Sequence, residues 1–287
     1  MSNVLFITPG PIKWASSRLR AHWIAEGIEG AEVMTNDKRW LSKGWGAVIF
    51  VKVIAEAMIV EALQGQGTKA IWDICDPVHW LNPEDARQMA DAVDTIIASN
   101  PALAQDFSEW YLDKPVHVIP DRIKLDHYPT QRKHQAARPV RFIWYGAGQN
   151  RFSLLGAFMN LERLRANGVN LSLTICDDQP QAVWQAEFPI LHTAWEVDKE
   201  NEILASHDIA ILPPYPGAWG KVKSNNKYLT AWACGLPVTD GENYHNLYEL
   251  ATRVTQREIA AKEGMETLIK YYTIDKSVEQ WKGLLAK

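Results

Sequence analysis

What most restricts the fold of this chain is a rhythm. Short apolar runs alternate with helical segments, the pattern breaks once, and then it starts again. Val4-Leu5-Phe6-Ile7-Thr8 is ended by Pro9-Gly10-Pro11, which reads as a buried strand leading into a loop. Ser16 or Ser17 can cap the next helix, with Leu19, Trp23, Ile24 and Ile28 on its apolar face. Apolar runs at residues 47–51, 70–74, 95–99 and 116–119 read as further strands, and helices are expected over 55–63, 83–90 and 101–111. Strands that alternate with helices pair in parallel, so the expected product is a doubly wound sheet.

Residues 120–139 change character: they are polar, carry Arg132, Lys133 and Arg138, and hold no sustained period, as an interdomain linker would. The rhythm then restarts with strands expected at 141–145, 171–176, 190–193, 209–212 and 236–239. Asn150 can cap a helix running to about 166, and further helices are expected over 198–206, 255–271 and 276–285. The reading is α/β with two Rossmann-like doubly wound domains facing a cleft: 1–135, 136–270, and a terminal helix within 271–287 crossing back to the first. A length of 287 residues favours two domains over one. Ligands of such sheets bind outside the carboxyl ends of the strands.

A net charge of −4 argues against a general polyanion binder. Cys75, Cys176 and Cys234 lie in or beside apolar runs without metal-ligand spacing, so they read as buried thiols of a reducing compartment, the cytoplasm. No charged leader precedes a long apolar run, so no signal peptide is expected. No uncharged run reaches the ~20 residues that span a bilayer.

The most informative stretch is ILPPYPGAWGKVKSNNKYLTAWACGLPVT, residues 211–239. A strand breaks at Pro213-Pro214, a loop with Gly217 and Gly220 follows, Ser224 is placed to cap a helix over about 225–234, and Gly235 stops it. Lys221, Lys223 and Lys227 crowd the start of that helix, where its dipole disfavours cations. Lys223, Lys227 and Thr230 share a face by spacing, while Tyr228, Leu229 and Trp232 can face the core. Free helix N–H groups and lysines together suit an anion, and a diphosphate fits.

KSNNKYLTAWACGLPVT (223–239) is similar to the "K-S-x-x-K-x-x-E-x-x-A-x-G-x-P-V" stretch of GT-B-fold glycosyltransferases, the large retaining group that uses nucleotide-diphosphate sugars. HDIAILPP, DTIIASNPALAQDF, HVIPDRIKLDHY and SSRLR resemble further pieces of the same family, in the same order along nearly the whole chain. The resemblance implies sugar transfer with retention, no metal and no cofactor beyond the nucleotide-sugar substrate. It implies catalytic cations at Lys227, Lys223 and Arg151 that stabilise the charge growing on the leaving diphosphate, and donor binding by Gly146, Gly148, Asn150, Ser224, Asn225, Asn226, Thr230 and Trp195. Arg18, Arg20, Asp76 and His79 fall on the acceptor side. The chain departs from the family where glutamates are usual, carrying Val222 and Thr230. That departure keeps a second reading open, a non-catalytic sugar-nucleotide or glycan-binding protein on the same fold. A Rossmann oxidoreductase is disfavoured because no Gly-x-Gly-x-x-Gly follows the first strand. The acceptor is not readable: a glycan, lipid-linked sugar, protein or modified nucleobase would all fit a cleft.

Overall fold

The computed structural model describes residues 3–286 except 36–42, 130–131, 137 and 180–183. The chain forms two compact units, the first from Met1–Ile123, Gly217–Ser224 and Thr273–Lys287, the second from Lys124–Pro216 and Asn225–Tyr272. These differ from the expected limits of 1–135 and 136–270: residues 124–135 belong to the second unit, and 217–224 to the first.

The first unit holds a six-stranded parallel sheet in the order β2-β1-β3-β4-β5-β6, built from β1 (Val4–Thr8), β2 (Ala31–Thr35), β3 (Ala47–Val51), β4 (Lys69–Ile74), β5 (Thr95–Ala98) and β6 (Val116–Val118). Every residue of β1 and β3 is buried, which is why both read as unbroken apolar runs. Among the described residues β2 pairs with β1 alone, at the sheet's edge; it is half-exposed, and its sequence AEVMT carries no such run. The helix after β1 opens at Ala15 with Trp14 as its cap, not Ser16 or Ser17. The Ser17 hydroxyl instead donates to the Gly10 carbonyl at 2.9 Å. A π turn over Arg18–His22 interrupts this helix before it ends at Trp23–Ala25. The helix Ile274–Leu285 completes the unit: Trp281, fully buried, meets the edge of Phe6 at 5.7 Å, and Gly27 leaves room for Val278.

The second unit holds five parallel strands in the order β11-β10-β7-β8-β9: β7 (Val140–Tyr145), β8 (Leu171–Asp177), β9 (Ile190–Ala194), β10 (Ile209–Ile211) and β11 (Val238–Thr239). The strand order reverses between β7 and β10, which pair with Ile209 opposite Phe142. Asp208, just before β10, accepts from Arg141 N at 2.9 Å, Arg141 Nε at 3.0 Å and Arg132 Nη2 at 3.2 Å. Stretch 120–139 is therefore no loose linker. Asp121 is bound to Arg20 in the first unit, and Arg132 and His134 are bound to Asp208 and the Gly235 carbonyl in the second. Asn150 caps no helix; a 3-10 segment over Gly148–Leu154 feeds the helix Leu155–Ala166 instead. The helix Tyr244–Thr252, capped by Asn243, is an addition to the expected elements. No helix of the described residues is long and apolar enough to cross a membrane.

Candidate functional site

In an open parallel sheet, the place where the strand order reverses leaves a crevice at the carboxyl ends. In the second unit that crevice lies between β7 and β10, and three features of the chain converge on it. β7 runs directly into Gly146, whose φ of +154° suits glycine. A methyl group there would overlap the Lys227 ammonium and come within 2.8 Å of its Cε. Lys227 therefore lies flat over the Gly146 backbone, with its Nζ 5.0 Å from the ring centre of the buried Trp144. The adjacent Tyr145 hydroxyl donates to the Lys227 carbonyl, which ties the start of the helix Asn226–Ala233 to the end of β7. Burial raises the Tyr145 hydroxyl well above its ordinary pKa, so it stays a donor.

That helix begins one residue later than expected. Its cap is Asn225, not Ser224, and the Asn225 side chain makes no capping hydrogen bond. The N–H groups of its first turn thus receive nothing from the cap, beside a cation that the helix dipole disfavours. Farther along, Tyr228 donates to the Leu212 carbonyl at 2.9 Å and Leu229 is fully buried. Thr230 is buried too, at the position where the resembling family carries glutamate.

The other expected phosphate ligands are placed elsewhere. Arg151 is 7% exposed, and its Nε and Nη2 donate to the two Asp177 oxygens at 2.7 Å each. Its Nη2 also donates to the Gln179 carbonyl. A guanidinium held by a buried carboxylate at the end of β8 is a structural tie, so the expectation of a catalytic cation at Arg151 is corrected. The Gly148 N–H donates to Asp178 Oδ1 at 2.6 Å, so this loop N–H already has an anionic partner. Lys223 and Ser224 belong to the first unit, and the backbone at Lys223 is extended rather than helical. The expected shared face of Lys223, Lys227 and Thr230 therefore does not form. Trp195 is half-buried and donates its indole N–H to Glu200 Oε1 at 2.9 Å. A depression of about 270 Å³ between β9 and the helix Glu200–Ala205 shares no residue with the β7–β10 crevice.

In the first unit, the acceptor-side candidates divide in the same way. Arg20 is 1% exposed and bridges Asp73 (Nη2–Oδ1 2.5 Å), Asp121 (Nη1–Oδ1 2.7 Å) and the Ile119 carbonyl (3.0 Å). The two carboxylates hold its guanidinium charged against burial, while burial pushes the Asp73 carboxyl up to about 6. Arg18 is buried as well, donates to the Lys13 carbonyl at 3.1 Å and lies 5.7 Å from the Trp23 ring centre. His79 is 2% exposed among Phe107 and Trp110, with Nε2 2.8 Å from Asp106 Oδ2, and burial lowers its pKa. None of these three reaches solvent as an acceptor contact would. Asp76 alone of the four is accessible: it pairs with Lys52 at 2.5 Å and lies 3.9 Å from Lys223. Residue types could not single out Trp144, Tyr145 or Lys52, because their roles come from neighbours distant in sequence.

No protein-family profile matches the chain, and no curated protein does. Solved structures do. Anabaena HepE, in complex with UDP and glucose, superposes with a TM-score of 0.70 at 12% identity, covering 100% of both chains. An alpha-glucosyltransferase in complex with UDP and a 13-mer DNA containing an HMU base gives 0.68 at 10% identity, over 100% of this chain and 99% of that one. S. aureus TarM gives 0.62 at 10% identity, over 84% of this chain and 55% of its own. The fold is that of the GT-B glycosyltransferases.

Proposed function

We propose that this protein is a glycosyltransferase that moves a sugar from a nucleotide-diphosphate donor, of the UDP-sugar kind, to an acceptor. The observation that carries the reading is Lys227 lying over Gly146 at the reversal of the second sheet, on the first turn of a helix with no side-chain cap. As the glycosidic bond breaks, negative charge grows on the outer phosphate of the leaving nucleotide. The Lys227 ammonium and the N–H groups of Asn226, Lys227 and Tyr228 stabilise that charge in place, with no metal or cofactor called for. Gly146 leaves the room in which the Lys227 ammonium is held, and Asn150, Asn225 and Thr230 complete the donor side. The resemblance in 223–239 supports retention of the donor's anomeric configuration, and the buried free thiols fit the cytoplasm.

The experiment is hydrolysis of UDP-glucose by the full chain, with and without EDTA, followed by proton NMR of the released sugar before mutarotation. Slow hydrolysis, unaffected by EDTA and giving first the α anomer, is the expected result. The second reading, a binding protein without turnover, draws on Val222 and Thr230, both buried and apolar or neutral where the resembling family is acidic. It predicts UDP binding with no hydrolysis at all.

A further inference from the structure

Among the described residues, Lys52 is the one non-glycine residue with positive φ, at 56°. It sits just past the carboxyl end of β3, beside the order reversal between β1 and β3. A residue that carries a Cβ is strained in this region, and glycine would hold it more readily. Two contacts pin it: Lys52 N donates to the Asp73 carbonyl at 2.8 Å, and its Nζ meets Asp76 Oδ2 at 2.5 Å. Strain that the surroundings enforce marks positions where a side chain must be aimed.

The aim is outward. Lys223 Nζ is 3.9 Å from the other Asp76 oxygen and 5.9 Å from the centre of the Trp219 ring. Trp219 in turn meets Trp80 edge-on at 5.9 Å. All these residues belong to the first unit, and the Lys52 side chain (38%) and Trp80 (39%) are open to solvent. The result is a carboxylate between two ammonium groups, continuous with paired indoles. A simple anion only accepts hydrogen bonds, and Asp76 repels it. A sugar diol does better, because each hydroxyl both donates and accepts. One can donate to Asp76 while accepting from a lysine, and the ring's C–H face can lie on an indole.

We propose that Lys52, Asp76 and Lys223, with Trp80 and Trp219, bind a neutral pyranose through a pair of adjacent hydroxyls. This deepens the reading above by giving the acceptor a chemical class, and it rests on that reading only for the name acceptor. The test titrates the full-length protein with the methyl glycosides of glucose, galactose, mannose and N-acetylglucosamine, with glucose 6-phosphate as the anionic probe and UDP run separately. Tryptophan fluorescence reads binding. At least one neutral glycoside should bind; Asp76→Asn and Lys52→Gly should each weaken it about tenfold, the loss of one charge-assisted hydrogen bond. UDP affinity should be unchanged in both variants. Lys52→Gly should leave Tm equal or higher, because glycine relieves the backbone strain. Silence from all four glycosides, binding of glucose 6-phosphate alone, or Lys52→Gly with lowered Tm and intact sugar binding each overturns the proposal. Glycoside binding with no UDP binding by the wild type would instead sink the donor reading and leave this site standing.

Discussion

The two units solve one geometric problem with different chemistry. Each sheet has a glycine in the loop after its first strand, and in each the space a side chain would fill is already taken. At Gly10 the occupant is an indole: a methyl group there would lie 2.7 Å from the Trp14 ring. At Gly146 the occupant is the Lys227 ammonium. Each unit also has an arginine following that strand and bound to a buried aspartate near the end of another strand, Arg20 to Asp73 on β4, two places along the sheet, and Arg151 to Asp177 on the adjacent β8. The arginines are the shared scaffold; the occupants of the glycine gaps differ. An indole over a glycine closes a loop, whereas an ammonium over a glycine holds a charge where a phosphate can come. A cation near a strand end is thus not evidence of function until its partners are known.

The parallel between the arginines gives the largest expected effect. Arg20→Met and Arg151→Met each leave buried carboxylate unpaired, so each should lower stability by about 3–5 kcal/mol in urea denaturation. An Arg151→Met protein of normal stability with weakened UDP binding would break the parallel and return Arg151 to the site. Next comes Lys227→Ala, expected to weaken UDP binding by roughly 1.5–3 kcal/mol, about tenfold to hundredfold, while Tm stays level or rises. The rise follows from removing a cation from a helix start, worth a few tenths of a kcal/mol. Lower Tm with unchanged affinity would make Lys227 a structural cover like Trp14.

A pH titration compares the units more gently. Burial lowers His207 in the second unit, where its Nε2 lies 2.7 Å from Thr174 Oγ1 and Nδ1 2.7 Å from the Ile203 carbonyl. The unfolded chain takes up that proton near ~6.5, and the folded chain only below it. The stability is therefore complete above about 6.5 and lost as pH falls, by about 1.4 kcal/mol for each pH unit between the two pKa values. His207→Gln should flatten the slope seen by urea denaturation below pH ~6.5; an unchanged slope assigns it to other groups, such as His79 of the first unit. The smallest effect concerns caps. Asn243→Ala loses a capping bond from Asn246 N at 3.1 Å and should cost about 1 kcal/mol, while Asn225→Ala, with no capping bond to lose, should cost close to nothing. A cost at Asn225 equal to that at Asn243 would show that the second helix start is not open.

Strands buried on both faces were legible because burial of both faces imposes an apolar run, as in β1 and β3. β2 escaped because an edge strand with half-exposed residues imposes none. At the site, the helix start and Lys227 could be read from local rules, since a lysine against a helix dipole is a violation visible over a few residues. Arg151 could not, because the carboxylate that claims it lies 26 residues away. Lys223 failed for the same reason, since Asp76, a carboxylate beside it, is far away in sequence. Lys52 left no trace in the sequence at all, since backbone strain is set by neighbouring strands.

The first unit is assembled from three stretches of chain, and this bears on how it can be made. Val222 lies in its hydrophobic core, and its carbonyl accepts from Asn100 Nδ2 at 2.8 Å. Trp281 seals Phe6 near the other end. A ribosome releases the six strands of this unit long before it delivers either of those residues. The nascent sheet must wait with Phe6 uncovered while the whole second unit is synthesised and folds. Completing the first unit before the second is made is therefore closed to this chain. An expressed fragment ending at residue 123 would lack its own lid and should collect on chaperones or in inclusion bodies, whereas a fragment supplemented in trans with peptides spanning 217–224 and 273–286 should regain solubility.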